Sequence, residues 1–334
     1  MNSFGTIFRV SIYGESHGPG VGVVIDGCPA GIPLSHEDFA ADIERRRAGR
    51  PGTTPRAEKD RPFLMNGVFE GFTTGFPLHI HFANGDTDSN AYDNIRHTPR
   101  PGHADWAAFR KHGGFHDYRG GGHFSGRLTV GIVAAGVVAK KLIGDMTVAA
   151  TLLHAGGNPD GVAAAVAAQQ DRDSVGGLAE VRVNGVPAGL GEPFFYSVES
   201  VISHLVFSIP ATKGIEFGTG FPCATMRGSE FNDEFIHVDG TTRTNHSGGI
   251  NGGITNGNEI VFRVAVRPTS SIGKPQHTVN LVSGQVEELE VRGRHDACIA
   301  LRFPPILEAV TAIALADLLA IARSTNSAGK KERT

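Results

Sequence analysis

The chain has 334 residues, with 31 Lys+Arg against 34 Asp+Glu and a formal net charge of −3; this argues against a protein held to nucleic acid by bulk positive charge and allows one large domain or two ordinary ones. Cys28, Cys223 and Cys298 are far apart and form no C-x-x-C pair, which speaks against a disulfide framework and fits a reducing cytoplasm. Glycine, at 45 residues, is nearly twice the usual share of about 7%, and with no G-X-Y period it points to tight turns and close backbone approaches.

The segments alternate in type, which predicts an α+β fold. Residues 6–13 and 21–26 read as strands around a glycine-rich turn. Ser35-x-x-Asp38 opens an amphipathic helix with Phe39 and Ile43 inward, ending in Arg45-Arg46-Arg47. Residues 76–82 alternate like a strand, and 104–111 form a short helix. Residues 127–143 are apolar on nearly all sides, the pattern of a buried helix. Residues 147–153 and 178–184 read as strands, 197–208 as a helix stopped by Pro210, and 259–266 and 287–291 as strands. The last helix starts near Pro304-Pro305 and runs to about residue 322. No uninterrupted apolar stretch reaches the ~18 residues of a membrane span, and the N-terminus does not read as a signal peptide. No repeat or linker divides the chain, so 1–323 is read as one domain and 324–334 as a polar tail.

Polar residues gather beside glycines in a few places. Gly14-Glu15-Ser16-His17-Gly18 lies between two strands; alone it is either a hairpin turn or a site. The following Gly18-x-Gly20-x-Gly22 is not G-x-G-x-x-G and precedes no helix, so a dinucleotide fingerprint is rejected. Arg45, Arg46, Arg47 and Arg50, with Arg56 behind, suit a clamp for phosphate or carboxylate. Arg100-x-x-His103-x-Asp105 precedes Arg119-Gly-Gly-Gly122-His123-Phe124-Ser125-Gly-Arg127, where free backbone N–H groups and a helix start favour an anion. Arg294-His295-Asp296 stands before the last helix, Asp296 being a base or a cap contact. His79-x-His81 puts two imidazoles on one strand face; with His103 they could form a hydrolase metal site, but no fixed ligand constellation supports it, and no metal is assigned.

Together these stretches resemble the chorismate synthase family. The matching runs are GESHG at 14–18, IDGCPAGIPL at 25–34, ERRRAG at 44–49, VFEGFTTGFPL at 68–78, RPGHAD at 100–105 and DYRGGGHFSGRLT at 117–129. They continue with DSVGG at 173–177, GVPAGLGEP at 185–193, SIPATKGIEFG at 208–218, RGSEFND at 227–233, TNHSGGINGGITNG at 244–257, RPTSSIGKPQ at 267–276 and GRHDACI at 293–299. The resemblance implies a sandwich with helices packed between antiparallel sheets, usually as a homotetramer in the cytoplasm, with neither nucleic acid nor membrane as partner. It implies a lyase that removes phosphate from 5-enolpyruvylshikimate 3-phosphate by anti 1,4-elimination, giving chorismate. Reduced FMN is required without net redox change. Some members reduce the flavin themselves with NADPH and others rely on a separate reductase; the lack of a dinucleotide fingerprint here suggests an external flavin reductase, with NADPH as an indirect reductant.

By the same resemblance, His17, His103 and Asp296 are the catalytic candidates. Ser16, Arg45, Arg46, Arg127 and Arg294 are the candidates for substrate. Arg46, Arg50, His123, Phe124, Ser125, Pro210, Ala211, Gly252, Arg267, Pro268, Thr269, Ser270, Ser271 and Arg294 are those for flavin. The chain departs from the family pattern at His123-Phe124, where many members have Arg-Ser, at Arg267 in place of Lys, and at His246-Ser247 in place of Asn-Ala. The loop after Arg47 is one residue short, which leaves the match of Arg50 ambiguous, and the connection over 144–172 is shorter than usual. A non-catalytic flavin- or anion-binding protein remains the alternative, against which the presence of His17, His103 and Asp296 together weighs.

Overall fold

Two antiparallel sheets enclose a layer of helices in the computed structural model, which describes residues 1–87, 92, 95–291 and 295–325. The N-terminal part supplies β1 (Ser3–Phe4), β2 (Arg9–Gly14), β3 (Gly20–Asp26), α1 (Ala40–Arg46), β4 (Phe63–Asn66), the small hairpin β5 (Val68–Phe69) and β6 (Phe72–Thr73), β7 (Leu78–Ala83), α2 (Asp105–His112) and α3 (Thr129–Lys140). There follow β8 (Thr147–Ala155), α4 (Gly161–Gln170), β9 (Gly177–Asn184), α5 (Val198–Ser208), β10 (Thr212–Phe217) and α6 (Gly228–Phe231). The chain ends with β11 (Ile250–Asn251), β12 (Ile254–Thr255), β13 (Ile260–Val266), β14 (Gln276–Val279), β15 (Val286–Leu289) and α7 (Phe303–Thr325).

The first sheet has the order β1-β2-β3-β7-β4 and the second β10-β13-β9-β8. In the first, Val21, Val23 and Ile25 of β3 and Leu78, Ile80 and Phe82 of β7 are fully buried on one face, the period-two pattern of a half-covered sheet. Helix α3 packs on that face, and α7 lies between α3 and strands β8 and β9. The two helices touch at glycine: a Cβ on Gly136 would lie 2.3 Å from that of Ala309. Helix α7 has the length and apolarity of a membrane span. Here it is a core helix, buried from Phe303 to Leu318 apart from Pro304.

Several expectations shift. Strand β2 starts at Arg9 rather than residue 6, because the amides of Thr6, Ile7 and Phe8 donate instead to the Asp317 carboxylate at 2.8, 2.8 and 2.9 Å. That carboxylate, inside an apolar helix, is thereby satisfied. The Ser35–Asp38 start forms only half of a capping box: Ser35 N–H donates to Asp38 Oδ2 at 2.8 Å, and a short 3-10 turn precedes α1. Strands β4 and β10 and helix α4 were not expected. Helix α4 occupies the shortened connection and is capped by Asp160, whose side chain accepts from Ala163 N–H. The last helix runs to Thr325, past the expected start of the tail, and 326–334 lie outside the described residues.

Candidate active site

The turn between β2 and β3 and the run Gly120-Gly121-Gly122 lock together. Ser16 N–H donates to the Gly122 carbonyl at 3.1 Å, and His123 Nδ1 donates to the Gly14 carbonyl at 2.8 Å. All three glycines have positive φ, 57°, 81° and 53°, which an L side chain adopts only with strain. Their bare Cα atoms serve as contact surfaces. A Cβ on Gly120 would meet His17 Cδ2 at 2.4 Å, and one on Gly121 would meet the His103 ring at 3.4 Å. The glycine run therefore brings His17 and His103, far apart in sequence, to adjacent positions. Its N–H groups are not all open to an anion as the sequence suggested, since that of Gly121 donates to Tyr118.

Beside Gly120 and His103 lies a cavity of about 230 Å³. Among the described residues, seven arginines line it, Arg46, Arg47, Arg56, Arg100, Arg127, Arg267 and Arg302, against three carboxylates, Glu58, Asp60 and Asp296, so these carry an excess of four positive charges in a chain of net charge −3. Asp60 holds the floor. It accepts from Arg46 at 3.2 Å and pairs with Arg127, all three side chains being almost fully buried. Burial first, then the neighbouring Arg302 and Arg127, lowers the proton affinity of Arg46. With Asp60, Thr129 Oγ1 and two carbonyls as acceptors, the guanidinium stays charged at neutral pH.

The other arginines are fixed from behind. Arg56 is held by Glu58 and by Ser16, whose Oγ accepts at 2.9 Å. Arg302 donates to the Arg46 carbonyl and to Asp296. Asp296 also accepts from Thr54 N–H at 2.9 Å, so it ties the arginine loop to the segment before α7 and does not cap that helix. Among the described residues no carboxylate pairs with Arg267; its partners are the Pro268 carbonyl and Ser270 Oγ, and burial lowers its proton affinity. Asp60 and Ala211 on the cavity wall have φ of 47° and 76°, left-handed values for non-glycine residues of the kind that gather at functional sites.

His103 is the best-defined acid–base group. Its Nδ1–H donates to Asp105 Oδ1 at 2.6 Å. Asp105 in turn accepts from Arg100 Nε and NH2 at 2.8 and 2.9 Å, and Arg100 NH1 donates to Ser271 Oγ at 3.0 Å. Burial pushes the Asp105 carboxyl up, but the Arg100 and His103 hydrogen bonds outweigh it and hold the group well below the usual carboxylate range. An ionised Asp105 on Nδ1 leaves Nε2 to exchange the proton. Burial lowers the His103 pKa, Asp105 opposing it and Arg100 and Arg267 adding to it.

Of the residues expected from the sequence, Arg46, His103, Phe124, Ser125, Arg127, Pro210, Ala211, Arg267, Thr269, Ser270, Ser271 and Asp296 line this cavity. His17 lies against Gly120 in its wall, and Ser16 behind Arg56. His123 lines a neighbouring cavity of about 580 Å³ that shares His103, Phe124, Pro210, Ala211 and Arg267 with the first. Arg45, Arg50, Gly252 and Pro268 do not line it. The Arg45 guanidinium is held by Glu308 at 2.6 Å and by Asp42, Arg50 donates to the Arg45 carbonyl, and Gly252 sits in the β11–β12 turn. Arg294 lies outside the described residues. His79 and His81 are hydrogen-bonded to Tyr13 and are not joined to His103. Among the described residues no three His, Cys, Asp or Glu side chains form a metal-holding group. The sequence reading did not single out Asp60, Glu58 or Arg302; only Glu58 and Asp60, two apart behind Arg56, left even a weak charge signal.

A rigid arginine cage beside a carboxylate-held histidine defines an enzyme for a small, multiply anionic molecule. The comparisons narrow the class. The family profile described as chorismate synthase matches residues 8–320. A chorismate synthase of Chitinophaga pinensis is 60% identical over 330 residues, covering 98% of both chains. One of Opitutus terrae is 46% identical, covering 95% of this chain and 96% of its own. A solved chorismate synthase crystal structure superposes with a TM-score of 0.70 at 23% identity, over 95% of this chain and 93% of the other, and supports the fold. The chain belongs to the chorismate synthase family, lyases of the shikimate route to aromatic compounds.

Proposed function

We propose that the arginine-lined cavity is where this chain eliminates phosphate from 5-enolpyruvylshikimate 3-phosphate to give chorismate, with reduced FMN held along the wall shared by the two cavities. The observation that carries the reading is the excess of guanidinium charge around the Asp105–His103 pair. A substrate with one phosphate and two carboxylates needs such a cage. Arg56, Arg100, Arg127 and Arg302 are fixed by carboxylates behind them, so little reorganisation is required when an anion enters.

The residues fit a flavin phosphate. Among the described residues, Thr269 Oγ1 is buried in the cavity wall without a hydrogen-bond partner, and Arg267 beside it has no carboxylate partner. Phe124, Pro210 and Ala211 add apolar surface, and the second cavity continues it with Ile132, Leu205, Phe207 and Ile313. Reduced FMN supplies electron density to the reacting ring and a place for its proton, the chemistry that a protein lacks. The chain's own residues bind, orient and hold protons. In its imidazolium form, which a bound anion favours, His103 presents a proton at Nε2 to the leaving phosphate. His17, against Gly120, holds the second exchangeable proton. Asp296 accepts from Arg302 and from Thr54 N–H. A positioned acid of this kind contributes ~10²–10⁴ in rate.

The test is anaerobic turnover of 5-enolpyruvylshikimate 3-phosphate with chemically reduced FMN, following chorismate absorbance and phosphate release. Product formed only with reduced flavin is expected. No product, with FMN still bound, would overturn the reading. The reductant is proposed to come from a separate flavin reductase; turnover in air with NADPH and FMN alone would refute that part.

A further inference from the structure

Tyr13, His79 and His81 do not line the arginine cavity, and no step above uses them. They stand on the outer face of the five-stranded sheet, opposite the face that buries Val23 and Ile80. Tyr13 is on β2, both histidines are on β7, and β3 runs between. The register pairs Tyr13 with Gly22 and Gly22 with His81. Two glycines clear the floor: a Cβ on Gly22 would lie 2.4 Å from the Tyr13 hydroxyl, and one on Gly20 would lie 2.3 Å from His81 Cε1. The phenol therefore crosses a whole strand and reaches the imidazoles. Its oxygen lies 2.7 Å from His79 Nε2 and 3.0 Å from His81 Nδ1.

A phenol has one proton, so it donates to one imidazole and accepts N–H from the other. The two oxygen-to-nitrogen distances also match neighbouring ligands on a tetragonal ion. Two ligand atoms at right angles, each ~2.0–2.1 Å from such an ion, are about 2.9 Å apart. We propose that Tyr13, His79 and His81 form a surface site for a divalent late first-row transition ion of tetragonal preference, copper(II). Two imidazole nitrogens and a phenol oxygen select such ions over magnesium or calcium. All three side chains are half-exposed, so the remaining coordination positions open to solvent.

The test uses the full chain. Calorimetric titration with Cu²⁺ is expected to show a saturable site weakened ~10-fold or more by His79→Gln and by His81→Gln. Titration with Cu²⁺ is expected to give a phenolate-to-copper absorption band at one equivalent that is missing in Tyr13→Phe. Unchanged copper affinity in His81→Gln, or a copper band that survives Tyr13→Phe, would overturn the assignment. Should the histidine variants not fold, paramagnetic broadening by Cu²⁺ in the wild-type chain decides. The His79 and His81 imidazole resonances must be lost first among the histidines; loss of others first would refute the site.

Discussion

Asp105→Asn isolates what the carboxylate does for His103. The wild-type Nδ1–H···Oδ1 contact is 2.6 Å, and Asp105 also receives two Arg100 hydrogen bonds. The amide is nearly isosteric, so the loop is expected to keep its shape, but it brings N–H donors where Arg100 and His103 need acceptors. Asp105 raises the His103 proton affinity, while burial, Arg100 and Arg267 lower it. Removing the one raising group drives the pKa further down. The acid form of His103 then disappears at a lower pH, so the alkaline fall in kcat moves to lower pH in the variant. At neutral pH the loss of a positioned acid predicts a fall in kcat of ~10²-fold or more, with KM changed much less, because Arg100 keeps its Ser271 contact. Stopped-flow turnover with pre-reduced FMN across pH 5–9 (a range set by the roughly 6.5 of free histidine) measures both. Asp105→Glu, which restores the charge, should recover part of the rate. A variant with wild-type kcat and an unshifted pH profile would falsify the assignment of Asp105 as the group that positions His103.

Three further outcomes are expected. Arg267→Ala removes the cavity cation that lacks a carboxylate partner among the described residues; with charged hydrogen bonds contributing about 1.5–3 kcal/mol, the FMN dissociation constant should rise about 10- to 100-fold in a fluorescence titration, and an unchanged value removes Arg267 from the anion site. Gly120→Ala places a methyl 2.4 Å from His17 Cδ2 at a φ of 57°; kcat should drop at least ~10²-fold, the left-handed strain of about 1–2 kcal/mol should lower the thermal unfolding temperature by a few degrees, and full activity would separate His17 from the chemistry. Asp60→Asn leaves the buried guanidiniums of Arg46 and Arg127 uncompensated; the cost should be about 3–5 kcal/mol in urea unfolding, and a loss below about 1 kcal/mol would mean that water enters the floor of the cavity.

Legibility in the sequence followed the range of the interaction. His103 and Asp105 are two residues apart, and their neighbours Arg100 and Gly102 give the segment a visible polar signature. Helices α3 and α5 and strands β3 and β7 announce themselves through apolar pattern. Helix α4 does not: its alanines lie on buried and exposed faces alike, so no stripe is visible. Strand β10 is half-buried along most of its length, which erases the alternation. Arg302 was unreadable for another reason. It sits in an apolar run, and its roles come from Asp296 and from the Arg46 carbonyl 256 residues away.

The glycine run shows what kind of information the sequence withholds. Read locally, Gly120–Gly122 looks like a source of free N–H donors. In the fold its more telling property is a missing side chain, because His17 fills the space that a Cβ on Gly120 would occupy, while His103 packs beside Gly121. The same substitution of absence for contact recurs at Gly22, which lets Tyr13 reach His81 across β3, and at Gly136, which seats α7 on α3. The glycine excess is thus partly a record of tertiary contacts. Which contact each glycine serves depends on a partner from a distant segment, and only the assembled sheets and helices supply it.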